Sequence, residues 1–230
     1  VIVAADVGLR AAAVVGGLGV GVIAVFLAQT IPHRMGNEPR ERPLVWWAVA
    51  VTAGAGYGWQ AADASAGWAL LPAYLAFGLT TLAVTLTDLD HRLIPNRILY
   101  PGFVVSGLLL TFGAMAEGLG RYMVRAGAAA VAYFLLLLII ALVVPGGFGM
   151  GDVKLALLLG LVLGFLGWDV LGVGFTVGIL LGGVASVLLL VFTSRGRKAK
   201  FAYGPYMVAG AWIGLFWGPQ IADWYLRSGS

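Results

Sequence analysis

Eight long stretches of this chain hold no Lys, Arg, Asp or Glu and are mostly apolar, and no other feature narrows its fold so far. They cover 11–32, 43–62, 64–87, 98–116, 126–151, 155–168, 170–194 and 201–222. A helix needs about 20 apolar residues, within a range of roughly 17–25, to cross the hydrocarbon core of a bilayer. Seven stretches meet that length. The sixth, 155–168, spans only if Val153 and Lys154 join it, with the Lys154 ammonium reaching out to the interface. A transmembrane β-barrel would need alternating apolar and polar residues, and runs such as 134–140 (FLLLLII) have none. The expectation is all-α: a polytopic bundle of about eight transmembrane helices, with residues 1–230 forming one integral-membrane domain and no separate soluble one.

Composition agrees. Charged residues make up 10% of the chain, against about 25% in soluble domains. There are no cysteines, which excludes thiol catalysis and thiolate metal sites. The net charge of +4 does not point to nucleic acid, because the basic residues sit at the ends of apolar runs, where they orient helices in the lipid bilayer. Alternate loops collect ten of them on one side (Arg34, Arg40, Arg42, Arg92, Arg97, Lys154, Arg195, Arg197, Lys198, Lys200) and four on the other (Arg10, Arg121, Arg125, Arg227). The positive-inside rule puts the first set in the cytoplasm and both termini outside. The opening segment, with Asp6 and Arg10, lacks the form of a signal peptide. Gly16, Gly17, Gly19, Gly21, Gly160, Gly164, Gly182 and Gly183 lie inside spans and read as helix-packing positions.

The ten acidic residues can be sorted one by one. Asp6, Asp63, Glu117, Asp169 and Asp223 fall in loops or near span ends on the outer side, and Glu38 and Glu41 lie among arginines. Three remain: Asp88 and Asp90 in 87–96 (TDLDHRLIPN), and Asp152 in 146–154 (GGFGMGDVK). Asp88 closes the third apolar stretch and Asp152 opens the sixth, on the same side and at similar depth. Acids at membrane depth are costly and usually mark function, and at these interfacial positions the cost is far smaller than at the bilayer centre. Two carboxylates brought together from separate helices share a proton. One then acts as base toward water and the other as acid toward a carbonyl or leaving amine, the minimal apparatus of an aspartyl protease. Gly149 and Gly151 would allow φ values closed to other residues and let a peptide backbone come near. Asp152 would cap the sixth helix or stand clear of it. Pro95 breaks the chain between the third and fourth helices. Each motif also has a plain structural reading, as an N-cap or a loop ion pair.

These residues resemble the prepilin peptidases, or type IV leader peptidases, an A24-type family of integral-membrane aspartyl proteases. The family pattern is an Asp six residues before Ile-Pro-Asn, then Gly-x-Gly-Asp-x-Lys, then an aromatic-Gly-Pro-aromatic segment. Here these are Asp88 with Ile94-Pro95-Asn96, Gly149-Met150-Gly151-Asp152-Val153-Lys154, and Tyr203-Gly204-Pro205-Tyr206. Together they cover roughly residues 80–215. The resemblance implies Asp88 and Asp152 as the catalytic pair, the six-residue spacing favouring Asp88 over Asp90. Gly149, Gly151, Lys154, Asp90, Pro95, Asn96, Gly204 and Pro205 become residues that shape the site or bind substrate. It implies a pilin-like precursor as partner, with a short basic leader ending in Gly before a hydrophobic helix. Cleavage would occur at the cytoplasmic membrane face of a bacterial or archaeal cell, with no metal or other cofactor required.

Two departures stand out. The connection His33–Arg42 is short and free of Cys, so the metal-supported loop of many relatives has no counterpart there. The segment 26–34 (FLAQTIPHR) is a worn version of the family's Asn-x-x-x-x-Arg-x-Pro element. Many relatives also methylate the new N-terminus with S-adenosylmethionine, which stays possible here although no glycine-rich nucleotide turn is legible. The alternatives are a presenilin-like intramembrane protease, a transporter using the paired acids as an ion site, and a non-catalytic assembly factor.

Overall fold

The structure, a computed structural model, describes residues 7–34, 44–64, 68–144, 148–192 and 202–228. Eight helices make up nearly all of them: α1 (Val7–Arg34), α2 (Leu44–Ala64), α3 (Leu71–His91), α4 (Asn96–Ala116), α5 (Tyr122–Val143), α6 (Met150–Leu166), α7 (Trp168–Phe192) and α8 (Gly204–Ser228). No strand occurs among the described residues. The chain is an all-α, integral-membrane bundle. Among the described residues, five helices are long and apolar enough by themselves to cross a membrane: α1, α3, α4, α5 and α7. In α8 the apolar run is diluted by Gln220, Asp223 and Arg227. In α2, Trp59 and Gln60 do the same.

The bounds differ from the apolar stretches for local reasons. α3 runs on through Asp88 because no residue of 87–91 breaks a helix. It ends at Arg92, whose left-handed conformation (φ 51°, ψ 43°) turns its N–H back to the Asp88 carbonyl at 2.8 Å. For a residue with a Cβ that conformation costs roughly 1–2 kcal/mol. Pro95 then caps α4 at φ −70°, ψ 125°, a position where its missing N–H costs nothing. α6 takes in Asp152, Val153 and Lys154, as a spanning sixth helix requires. Its 17 residues still reach only about 26 Å, short of the ~30 Å hydrocarbon core.

Burial explains why so short a helix suffices. α3 has thirteen buried residues and α6 has twelve, against six in α4 and five in α5. The two enclosed helices face protein rather than lipid, so their length need not match the bilayer. α4 and α8 each pack against both. At its far end, α6 is held by Arg125 of α5, which donates to the carbonyls of Gly164, Phe165 and Leu166. These are among the last carbonyls of a helix, which have no partner within it.

Successive helices pair as antiparallel hairpins, and small residues let them close. Gly17 and Gly21 of α1 face Gly54 and Gly58 of α2, where a Cβ on Gly17 would run into the Gly54 carbonyl. Gly160 and Gly164 of α6 meet Ala126, Ala129 and Ala130 of α5, and Gly174 and Gly178 of α7 meet Gly210 of α8. This is the small-xxx-small packing of membrane helices. Gly16 fits the packing expectation too, lying against Leu75. Gly19 and Gly183 do not, since a Cβ on either would meet nothing within 4 Å. Gly182 lies against the Tyr203 ring.

The alternation of direction brings the C-terminus of α3 and the N-termini of α4, α6 and α8 to one end of the bundle. Arg92, Arg97 and Lys154 are at that end, and Arg10, Arg121, Arg125 and Arg227 are at the other. Arg40, Arg42, Arg195, Arg197, Lys198 and Lys200 lie outside the described residues, as do Asp6, Glu38 and Glu41.

Candidate active site

Asp88 lies one turn before the end of α3 and is 5% exposed; Asp152 is the third residue of α6 and 8% exposed. Neither acid is near the middle of its helix. Gly204 opens α8, and its N–H donates to Asp88 Oδ2 at 3.0 Å. The first amides of a helix have no partner within it and favour negative charge, so the start of α8 is a fitting seat for a carboxylate. A Cβ on Gly204 would stand 2.8 Å from that same oxygen. Only glycine lets the amide come so near, and Pro205, directly after it, suits the first turn of a helix.

Asp152 is held from its own helix. Its Oδ2 accepts the Gly149 N–H at 3.0 Å, the reach of an N3 acid back to the N-cap amide. Asp152 is thus not the N-cap, which is Gly149. Nor do the glycines supply unusual backbone angles. Gly149 sits at φ −76°, ψ 151°, and Gly118, at φ 69°, is the one glycine in the left-handed region among the described residues. Gly149 and Gly151 supply space instead. A Cβ on Gly149 would lie 3.2 Å from Asp152 Oδ2, and one on Gly151 would lie 3.0 Å from Ile94 Cβ.

The two acids belong to one neighbourhood. Asp152 lies within electrostatic reach of Asp88 and of Tyr203. Tyr203, in the connection before α8, meets Phe148 edge-on at 4.7 Å and donates to the Gly178 carbonyl at 3.4 Å. Burial first, and the Asp152 charge second, push its phenol up to about 12, so it stays neutral. Lys154 Nζ donates to Asn96 Oδ1 at 3.3 Å and stands 5.6 Å from the centre of the Tyr100 ring. This contact ties the start of α6 to the start of α4 with residues from two of the three sequence motifs. Pro95, directly before Asn96, is buried.

Asp90, two residues beyond Asp88, is half-buried. Two helical steps of 100° turn it away from the face that meets Gly204. Among the described residues, no three His, Cys, Asp or Glu gather as a metal site would require. Sequence reasoning gave no role to Ile94 beyond its place in the motif, and none to Arg125 beyond its charge. A basic residue at the start of α5 was the one available sign of the latter.

Comparison with known proteins adds an independent line. The model of the type IV leader peptidase family matches residues 73–194. The proteins called prepilin leader peptidase/N-methyltransferase are similar to this chain. That of Aeromonas salmonicida (strain A449) is 32% identical over 165 residues, covering 70% of this chain and 54% of the relative. That of Pseudomonas aeruginosa is 32% identical over 197 residues, covering 80% and 61%. That of Bacillus subtilis is 29% identical over 161 residues, covering 69% and 60%. The chain thus spans little more than half the length of these relatives. No solved structure matches it.

Proposed function

The chain belongs to the type IV leader peptidase family, and from that premise we propose that it is an aspartyl endopeptidase removing the short basic leader of pilin-like precursors. Asp88 and Asp152 form the catalytic pair. The observation that carries this reading is the matched seating of the two acids. Each comes from one of the two enclosed helices, at one end of the bundle, and each accepts on one oxygen a hydrogen bond from a backbone amide, of Gly204 or of Gly149. The other oxygen of each is then available to a shared water.

With one proton between them, the ionised carboxylate takes a proton from that water as its oxygen attacks the scissile carbonyl carbon. The protonated carboxyl gives its proton to the carbonyl oxygen, forming a neutral tetrahedral diol. On collapse a diol proton returns to one acid, the other acid protonates the leaving nitrogen, and the C–N bond breaks. The pair ends with a single shared proton again, so no covalent enzyme intermediate and no cofactor is needed.

The end carrying the acids faces the cytoplasm. Arg92, Arg97 and Lys154 at that end support this orientation, as do the further basic residues of 35–43 and 193–201, stretches that join helix ends on the same side.

The test is to incubate the purified protein with a pilin-like precursor in detergent or lipid and to weigh the products. A cut directly after the leader's terminal Gly is expected. An intact precursor, or a cut within its hydrophobic helix, would refute the assignment.

A further inference from the structure

The link between the two acids is a side chain that carries no charge. Ile94 is 8% exposed and stands between the glycine that precedes Asp152 and the glycine that seats Asp88. A Cβ on Gly151 would lie 3.0 Å from Ile94 Cβ and 3.4 Å from its Cγ1 and Cδ1, and one on Gly204 would lie 3.2 Å from its Cδ1. One isoleucine therefore packs directly on the backbones of both α6 and α8. Its own backbone is pinned between Arg92, the left-handed stop of α3, and Pro95, the cap of α4. Interiors packed this closely transmit strain rather than absorb it.

We infer that Ile94 is a positioning residue, a spacer whose volume sets the gap between the Asp88 and Asp152 carboxylates. The inference rests on the proposed role of that pair. The Ile94 backbone follows Asp88 by six residues, just past the end of α3, which is closed by the Arg92 N–H bonding back to the Asp88 carbonyl, and Gly151, on which Ile94 packs, is the residue before Asp152. Shortening the side chain lets the start of α6 close on the end of α3 and brings the acids together past the distance at which one water fits between them. The two glycines are bare on this side because any larger residue would meet the spacer.

The chain contains no cysteine, so an Asp88→Cys/Asp152→Cys pair reports the gap without background and without cleavage. Disulfide formation and bridging by bifunctional thiol reagents of graded length are measured with Ile94 intact, with Ile94→Val and with Ile94→Ala. In the protein that keeps both acids, kcat and KM are measured for the same spacer changes and for Ile94→Leu. Trimming should shift bridging to shorter reagents and speed disulfide closure, Ile94→Ala more than Ile94→Val. It should lower kcat, about 10-fold or more for Ile94→Ala, a loss in keeping with ångström-scale misplacement of reacting groups, with KM within about twofold. Ile94→Leu, which keeps the volume, should retain more activity than Ile94→Ala. A merely structural role would lower thermal stability and leave the preferred reagent length unchanged. If bridging is identical with and without the full side chain, the spacer is refuted while the acid pair stands. If the cysteine pair cannot be bridged at any length with Ile94 intact, the acid pair itself falls and takes the spacer with it.

Discussion

Gly204→Ala probes the seat of Asp88 with a single methyl group. The added carbon would stand 2.8 Å from Asp88 Oδ2 and 3.2 Å from Ile94 Cδ1. Both contacts are too short to keep, so the Asp88 carboxyl group or the first turn of α8 must shift by a few tenths of an ångström. The hydrogen bond of 3.0 Å from the Gly204 amide lengthens with it. A hydrogen bond to a charged group contributes roughly 1.5–3 kcal/mol. At 1.36 kcal/mol per tenfold, losing it from the transition state lowers kcat/KM by roughly 10- to 150-fold. The assay is precursor cleavage by purified protein, with unfolding followed in parallel. Gly19→Ala is the control, because a Cβ there meets nothing within 4 Å. Cleavage by Gly204→Ala within about twofold of the unaltered protein would refute the reasoning, since a group seating a catalytic acid cannot be disturbed without cost.

Three further outcomes follow. Arg125→Met leaves the carbonyls of Gly164, Phe165 and Leu166 without their donor; thermal unfolding should show a loss of about 1.5–3 kcal/mol, with KM for the precursor unaltered. Single cysteines at Arg97 and Asp169, which open α4 and α7 at opposite ends of the bundle, should label with impermeant thiol reagents from opposite sides of the membrane, the one at Arg97 from the cytoplasm. Chelators should leave the cleavage rate unchanged, because every proton transfer proposed here runs between carboxylates, water and the peptide.

The helical class was legible because lipid leaves a spanning segment few options: its backbone must bond within itself, and the uncharged runs declare this directly. Helix bounds were less so. A reading that stops each span at its first charge ends α3 before Asp88, yet a helix needs only acceptable residues to continue, and it runs on to His91. The acids proposed for catalysis stand out because acids are few in such a chain. Their seating does not, since the Gly204 amide and Asp88 are 116 residues apart and nothing local to either announces the other. The same holds for Arg125 and the end of α6. At Gly149 and Gly151 the sequence suggested freedom of φ, whereas the structure uses their lack of a side chain, a requirement set by Ile94 and by Asp152 itself. A glycine reads the same in sequence whether it is kept for its angles or for its size.

The account depends most on the two acids acting as one unit. The direct measurement is the cleavage rate of Asp88→Asn, Asp152→Asn and the double variant, each shown to be folded. Groups that act together are grossly non-additive, so each single variant should lose as much activity as the double. Near-normal cleavage by either single variant would contradict the account, as would a double variant whose loss is the product of two partial ones.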